Sequence, residues 1–316
     1  IITSSQIKQI MANIQLSLDN IISVITTFYK ELLEDLIAYT ESLDVVSSYV
    51  ENIDVLQNKA YIATKYNYCR PIFVDQSDKR ICLTQNRHPI LEKTESGTLV
   101  ANDISISKDA PFSLITGPNM AGKSTVMRQV ALTLILGQIG AFVPANSAQL
   151  SLVDQVFTRI GASDNLYSGQ STFMVEMLET SAILHNATAN SLILLDEIGR
   201  GTSTYDGLSI ASAVSEYIYT TIGARTFFAT HYHELTQLAQ KYSGIMNFSM
   251  KIKEISGKLI FTYQYHSGAA DKSYGIHVAN MAGLPLAVIE SAQSFLSHFE
   301  SQQQSSEVSS RQLSLF

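Results

Sequence analysis

The sequence predicts an α/β domain with a mainly parallel sheet, preceded by a long helical segment. Three observations carry this. Residues 1–70 contain neither glycine nor proline, and apolar side chains recur there every three or four positions. From Pro71 onward, short apolar runs alternate with helical patterns, the order of strands and their covering helices. Leu192–Leu195 and Thr226–Ala229 read as strands buried on both faces.

The helical stripe runs through Ile7, Met11, Ile14, Leu18, Ile21, Ile25, Phe28 and Leu32. After a one-residue phase shift it resumes at Leu36, Tyr39, Leu43, Val46, Val50 and Ile53. Alternating steps of four and three give the seam period of packed helices. Two long helices, or one long helix and a partner, are expected over 1–70. They pack on themselves as a subdomain, act as a lever joining the rest to something upstream, or do both. The chain opens on Ile1-Ile2 rather than methionine, as a piece or a processed product would.

Ile72–Asp75 and Arg80–Thr84 flank Gln76-Ser77-Asp78-Lys79 and suggest a hairpin. Phe112–Ile115 reads as a strand ending in a glycine turn. Val130–Ala145 is apolar but interrupted by Thr133 and Gln138. It falls short of the roughly 20 residues that a membrane span requires, so a buried helix is expected. Ile245–Lys253 and Lys258–Tyr265 suggest a second hairpin around Ser256-Gly257, and Pro285–Phe299 a helix with proline in its first turn. Ser301–Arg311, rich in Ser and Gln, reads as a loose tail.

Composition narrows the function classes. Lys plus Arg is 21 against 28 for Asp plus Glu, a net charge of −7, which argues against a simple basic coat for DNA or membranes. A hydrophobic content of 46% excludes general disorder. The two cysteines, Cys69 and Cys82, are too few for a disulfide framework or a four-cysteine zinc site, so a reducing cytoplasm is the default. No charged segment precedes a short apolar run as in a signal peptide.

The chemistry concentrates in three places. Gly117-Pro118-Asn119-Met120-Ala121-Gly122-Lys123-Ser124 matches the full P-loop pattern and lies between a strand and a helix. Glycines let backbone N–H groups close around phosphate oxygens, and the helix N-terminus adds partial positive charge. Lys123 suits the β- and γ-phosphates, and Ser124 suits Mg²⁺. Leu192-Ile193-Leu194-Leu195-Asp196-Glu197 supplies the complement, a buried strand with acids at its C-terminal end. Asp196 would bind Mg²⁺ directly or through water, and Glu197 would orient and deprotonate the attacking water. Ser168-Gly169-Gln170-Ser171-Thr172 opens a further helix, another anion-binding end. His231, His233 and Glu234 offer a zinc-like trio, but no further ligand is spaced to complete four.

The order P-loop, Ser-Gly signature, Asp-Glu strand, strand ending in His231 resembles ATP-binding-cassette ATPases. The blocks GPNMAGKST, SGQSTFMVEM, LLDEIGRGTSTYDG, ATHYHEL and DKSYGIHVA are similar to the MutS family of DNA mismatch repair proteins, over most of residues 60–300. The resemblance implies an ATPase that forms a homodimer, each composite site taking elements from both subunits, with ATP/ADP and Mg²⁺ as cofactors. It implies that Ser171, with Ser168 and Gly169, contacts the partner's γ-phosphate. His231 would sit near the γ-phosphate and the attacking water, and Asn119 would position phosphate or water. Thr125 completes the nucleotide-binding loop, and Gly199–Asp206 would connect the two sites.

The resemblance also implies mismatched double-stranded DNA as partner through regions absent from this chain, a MutL-type partner, and a cytoplasmic, nucleoid-associated location without a membrane. Gln312-Leu313-Ser314-Leu315-Phe316 resembles the peptide by which bacterial repair proteins bind the sliding clamp, with Gln312, Leu313, Leu315 and Phe316 as anchors. The implied organisation is 1–70 helical lever, 71–267 ATPase domain, 268–300 dimerisation helices and 301–316 flexible tail.

Departures stand beside it. Leu99 occupies the place where the family often carries an aromatic residue against adenine. No Q-loop glutamine is assignable, Gln155 being only nearby. A chromosome-maintenance cassette ATPase and a non-catalytic nucleotide-binding scaffold are the rival readings.

Overall fold

The computed structural model describes residues 4–94, 99–161, 171–255, 258–270 and 274–313. The chain divides into two units, Ile1–Ile62 and Ala63–Phe316. The first is built from α1 (Ser5–Ile37) and the bulk of α2 (Thr40–Lys65). Ser4 caps α1, its side chain accepting from the Ile7 amide at 3.4 Å. The two expected long helices are present, broken at Ala38–Tyr39. Neither buries a side chain, so the self-packing suggested by the stripe is not found. A stripe at heptad spacing shows that a face is apolar and leaves its partner undetermined.

The second unit carries two sheets. A small one contains β1 (Ile72–Val74) and β2 (Ile81–Asn86), and, beyond the short α3 (Leu91–Thr94), β3 (Asn102–Ile106). The chain then enters the large sheet through β4 (Phe112–Thr116) and leaves it along α4 (Lys123–Gln138). β5 (Ser147–Ser151) returns to the small sheet, whose order is β1-β5-β2-β3. The hairpin expected between β1 and β2 is therefore absent. β5 lies between them, parallel to β1 and antiparallel to β2. The connecting residues form a 3₁₀ turn in which Asp75 accepts from the Ser77 amide, and Ser151 of β5 donates to the Asp75 carbonyl at 2.8 Å.

The large sheet adds β6 (Val156–Arg159), then α5 (Thr172–Asn186), β7 (Leu192–Asp196), α6 (Thr204–Tyr217) and β8 (Arg225–Ala229). After α7 (Leu238–Lys241) come β9 (Ile245–Ile255) and β10 (Lys258–Ser267), antiparallel as the second expected hairpin. The order is β10-β9-β4-β8-β7-β6, with every pairing other than β9–β10 parallel. Side chains alternate between two cores. Leu192, Leu194, Phe227 and Ala229 pack with Val126, Met127, Val130 and Leu134 of α4. Ile193, Leu195 and Phe228 face the opposite way, with Ala211 and Val214 of α6. Both faces being covered is the physical reason these strands lack polar alternation.

The apolar run Val130–Ala145 is helical only to Gln138, and Gly140 turns the chain with φ 74°. Among the described residues no helix is long and apolar enough to cross a membrane. The chain ends in α8 (Gly275–Met281) and α9 (Leu286–Leu313). The helix thus continues through the stretch expected to be loose. Neither glycine nor proline interrupts Ser301–Leu313, and its Gln, Glu and Arg residues are good helix formers.

Candidate functional site

β4 feeds the loop Gly117–Gly122. Gly117, Met120 and Gly122 take φ of 134°, 68° and 98°. Such turns aim backbone amides into one concavity, and the first turn of α4 adds its unpaired N–H groups. Lys123 is 5% exposed. Its Nζ donates to the Gly117 carbonyl at 2.6 Å and the Pro118 carbonyl at 3.2 Å, and lies 3.6 Å from Glu197 Oε1. Burial pushes the Lys123 pKa down, and attraction to Glu197 and Asp196 opposes that.

Ser124 Oγ donates to Asp196 Oδ2 at 2.5 Å across the β4 and β7 ends. Burial pushes the Asp196 carboxyl up, while the Ser124 bond holds it down. Asp196 Oδ1 is buried without a hydrogen-bond partner. An unpaired buried carboxylate oxygen is costly, and a hard cation with oxygen ligands would satisfy it. A hydroxyl and a carboxylate in direct contact, at the start of α4 and the end of β7, fit Mg²⁺.

Glu197 sits just past β7 with φ 57°, an uncommon conformation for a residue with a side chain, and its amide donates to the Ala229 carbonyl at 2.8 Å. Its Oε2 pairs with Arg200 Nη1 at 2.7 Å. In the amide orientation that satisfies its neighbours, Asn119 donates to Glu197 Oε1 at 2.9 Å and accepts from Arg200 Nη2 at 3.1 Å. Asn119, Glu197 and Arg200 therefore close a ring of contacts beside Lys123. His231 follows β8, its ring 4.0 Å from that of Tyr232. Partial burial, then the Arg200 cation, hold its imidazole below the usual range, so it is mostly neutral near pH 7. Among the described residues no group of three or more His, Cys, Asp or Glu side chains gathers as a metal cluster.

The loop after Glu197 is packed backbone to backbone. Glu176 of α5, 5% exposed, accepts from the Gly199 amide at 2.5 Å, and Tyr232 Oη donates to the Gly199 carbonyl at 3.0 Å. A Cβ on Gly199 would lie 2.6 Å from the Gly207 carbonyl oxygen, and one on Gly207 would strike the Gly199 carbonyl and Tyr232 Oη. Gly207→Ala is expected to destabilise the fold by about 1–3 kcal/mol, the usual cost of overpacking, and to lower the melting temperature. An unchanged melting temperature would contradict this close approach.

Beside the loop a cavity of about 390 Å³ is lined by residues including His88, Leu99, Thr125, Gln129 and Tyr263. An adjoining one of about 370 Å³ is lined by Asn119, Met120, Lys123, Ser124 and again Tyr263. Of the residues singled out from sequence, the structure gathers Gly117 to Thr125, Asp196 and Glu197, and places Leu99 on the same cavity wall. Ser171 caps α5, its Oγ accepting from the Met174 amide at 3.2 Å. Ser168 and Gly169 lie outside the described residues. Gln312 and Leu313 end α9, while Leu315 and Phe316 lie outside the described residues.

The family model of MutS domain V matches residues 113–300. The chain belongs to the MutS family. That match encloses Lys123, Asp196, Glu197 and His231. A DNA mismatch repair protein MutS from Brevibacillus brevis is 55% identical over 248 residues, 78% of this chain and 28% of the relative. One from Caldanaerobacter subterraneus subsp. tengcongensis is 53% identical over 246 residues, again 78% and 28%. One from Rickettsia canadensis is 46% identical over 301 residues, 94% of this chain and 34% of the relative. The chain thus spans about a third of the length of these MutS relatives.

The sequence placed Arg200 only within the connecting segment Gly199–Asp206, without its pairing to Glu197, and pointed to no role for Glu176 or Tyr263. Glu176 lies inside a MutS-like block, so a signal was present without a role attached. Tyr263 lies in no such block.

Proposed function

We propose that this chain is an ATPase whose site is built on the loop Gly117–Thr125, and that it serves DNA mismatch repair. The supporting observation is the convergence of Lys123, Ser124, Asp196 and Glu197 at the C-terminal ends of β4 and β7, the two parallel strands that flank β8. ATP would lie with its phosphates under the loop amides and Lys123, and its base in the cavity walled by Leu99 and Tyr263. Mg²⁺, held by Ser124 and Asp196, supplies charge neutralisation at the phosphate oxygens when bound. Glu197 takes the proton of a water as that water's oxygen bonds to the γ-phosphorus. The bond from that phosphorus to the ADP oxygen then breaks, giving ADP and phosphate. Asn119 and Arg200 hold the carboxylate, and neutral His231 is available to the water or the γ-phosphate.

The reading extends to a homodimer in which Ser171 of one chain, with Ser168 and Gly169, completes its partner's site. α8 and α9 would join the ATPase domains, and nucleotide state would reach the N-terminal helices. Mismatched DNA, a MutL-type partner and the sliding clamp, through Gln312, Leu313, Leu315 and Phe316, are the expected partners in a cytoplasmic, nucleoid-associated setting. Mixing tests the composite site. Lys123→Ala and Ser171→Ala chains, each inactive alone, should regain ATP turnover when combined, because a mixed dimer holds one intact site. Unchanged turnover by Ser171→Ala alone, at every protein concentration, would contradict the composite site.

A further inference from the structure

Tyr263 reaches the nucleotide cavity through a break in strand regularity. Residues 261, 263 and 265 of β10 would share one face under strict alternation. Phe261 and Tyr265 do pack against the core beside α4, and Tyr265 stacks on Phe248 with centroids 4.5 Å apart. Between them the β9–β10 register shifts, and Tyr263 takes φ 54°. Tyr263, 47% exposed, instead lines both cavities beside the loop. It also lies against Gly122, where a Cβ would come within 3.2 Å of Tyr263 Cδ1.

The left-handed conformation of a tyrosine costs free energy and persists only where its surroundings hold it. Asn102, the first residue of β3 and 4% exposed, makes the two contacts that do so. Its Nδ2 donates to the Tyr263 carbonyl at 3.1 Å, and its Oδ1 accepts from the Tyr265 amide at 2.7 Å. The side-chain amide thereby stands in for the ladder partner that the bulge removes. Asn102 itself lines the larger cavity.

We infer that Asn102 is a positioning residue for nucleoside binding: it fixes the β10 bulge that turns the Tyr263 ring over the cavity beside Gly122. This rests on the ATPase reading. Asn102 acts on the base through Tyr263 and not on the phosphates, which the loop amides and Lys123 face. It therefore separates two parts of the ligand that a general loss of structure would affect together.

The test is calorimetric binding of ATP and of inorganic triphosphate to the full chain and to Asn102→Ala. A base stacked on an aromatic ring contributes enough that the variant should bind ATP about tenfold more weakly. Its affinity for triphosphate should stay within about twofold of the parent's by the same argument. Tyr263→Ala should show the same split, and the double variant should lose no more than either single one, since both act through one contact. If Asn102→Ala does not fold, Asn102→Asp keeps the acceptor for the Tyr265 amide and removes the donor to the Tyr263 carbonyl. It should show the split in the same direction. Unchanged ATP affinity, or equal losses of ATP and triphosphate, would overturn the inference. A parent chain that binds neither ligand would instead overturn the ATPase reading beneath it.

Discussion

Glu197→Gln is expected to bind ATP as tightly as the parent chain and to lose hydrolysis by about a hundredfold or more, the scale of a missing general base. The amide keeps the size of the side chain and an oxygen to accept from Asn119. It cannot take a proton from water. The variant also gives up the 2.7 Å pair with Arg200, whose side chain is 48% exposed, so little binding energy goes with it. Lys123, released from the Glu197 charge 3.6 Å away, is freer to face phosphate. Rapid quench of bound ATP reads the outcome. Turnover at the parental rate would remove Glu197 as the base.

Lys123→Ala should weaken ATP binding by about a hundredfold or more, in line with truncating a buried charged partner. The ammonium is the cation buried inside the loop, and its side chain is nearly closed off from solvent. Without it, phosphate would approach Asp196 and Glu197 with only the half-exposed Arg200 paired to Glu197 to offset their charge. Calorimetry with ATP and Mg²⁺ checks this, and near-parental affinity would sink the assignment of the loop.

The candidate site was legible to unequal depths. The loop Gly117–Ser124 could be read because its chemistry is contiguous, with each amide and Lys123 supplied within one turn of chain. Asp196 and Glu197 could be read because a strand buried on both faces must end where its polar residues begin. Ser124 and Asp196 meet because parallel strands bring their C-terminal ends to one edge, which the fold class implies. The β1–β2 hairpin was misread because proximity in sequence favours local pairing, while Ser151 and the rest of β5 enter from across the domain. Tyr263 and Asn102 were invisible for a related reason. The bulge that turns the tyrosine depends on a side chain far away in sequence, and no local pattern records it. The stripe from Ile7 to Ile53 gave two helices correctly and gave no information on what covers them.

Phosphate release from ATP by the purified full chain, with and without Mg²⁺ and over a range of protein concentrations, decides whether the loop Gly117–Thr125 serves hydrolysis. Release should depend on Mg²⁺, and its rate per chain should rise with concentration as composite sites assemble. ATP bound through Lys123 but never hydrolysed at any concentration would contradict this role, and would leave a nucleotide-binding scaffold in place of an ATPase.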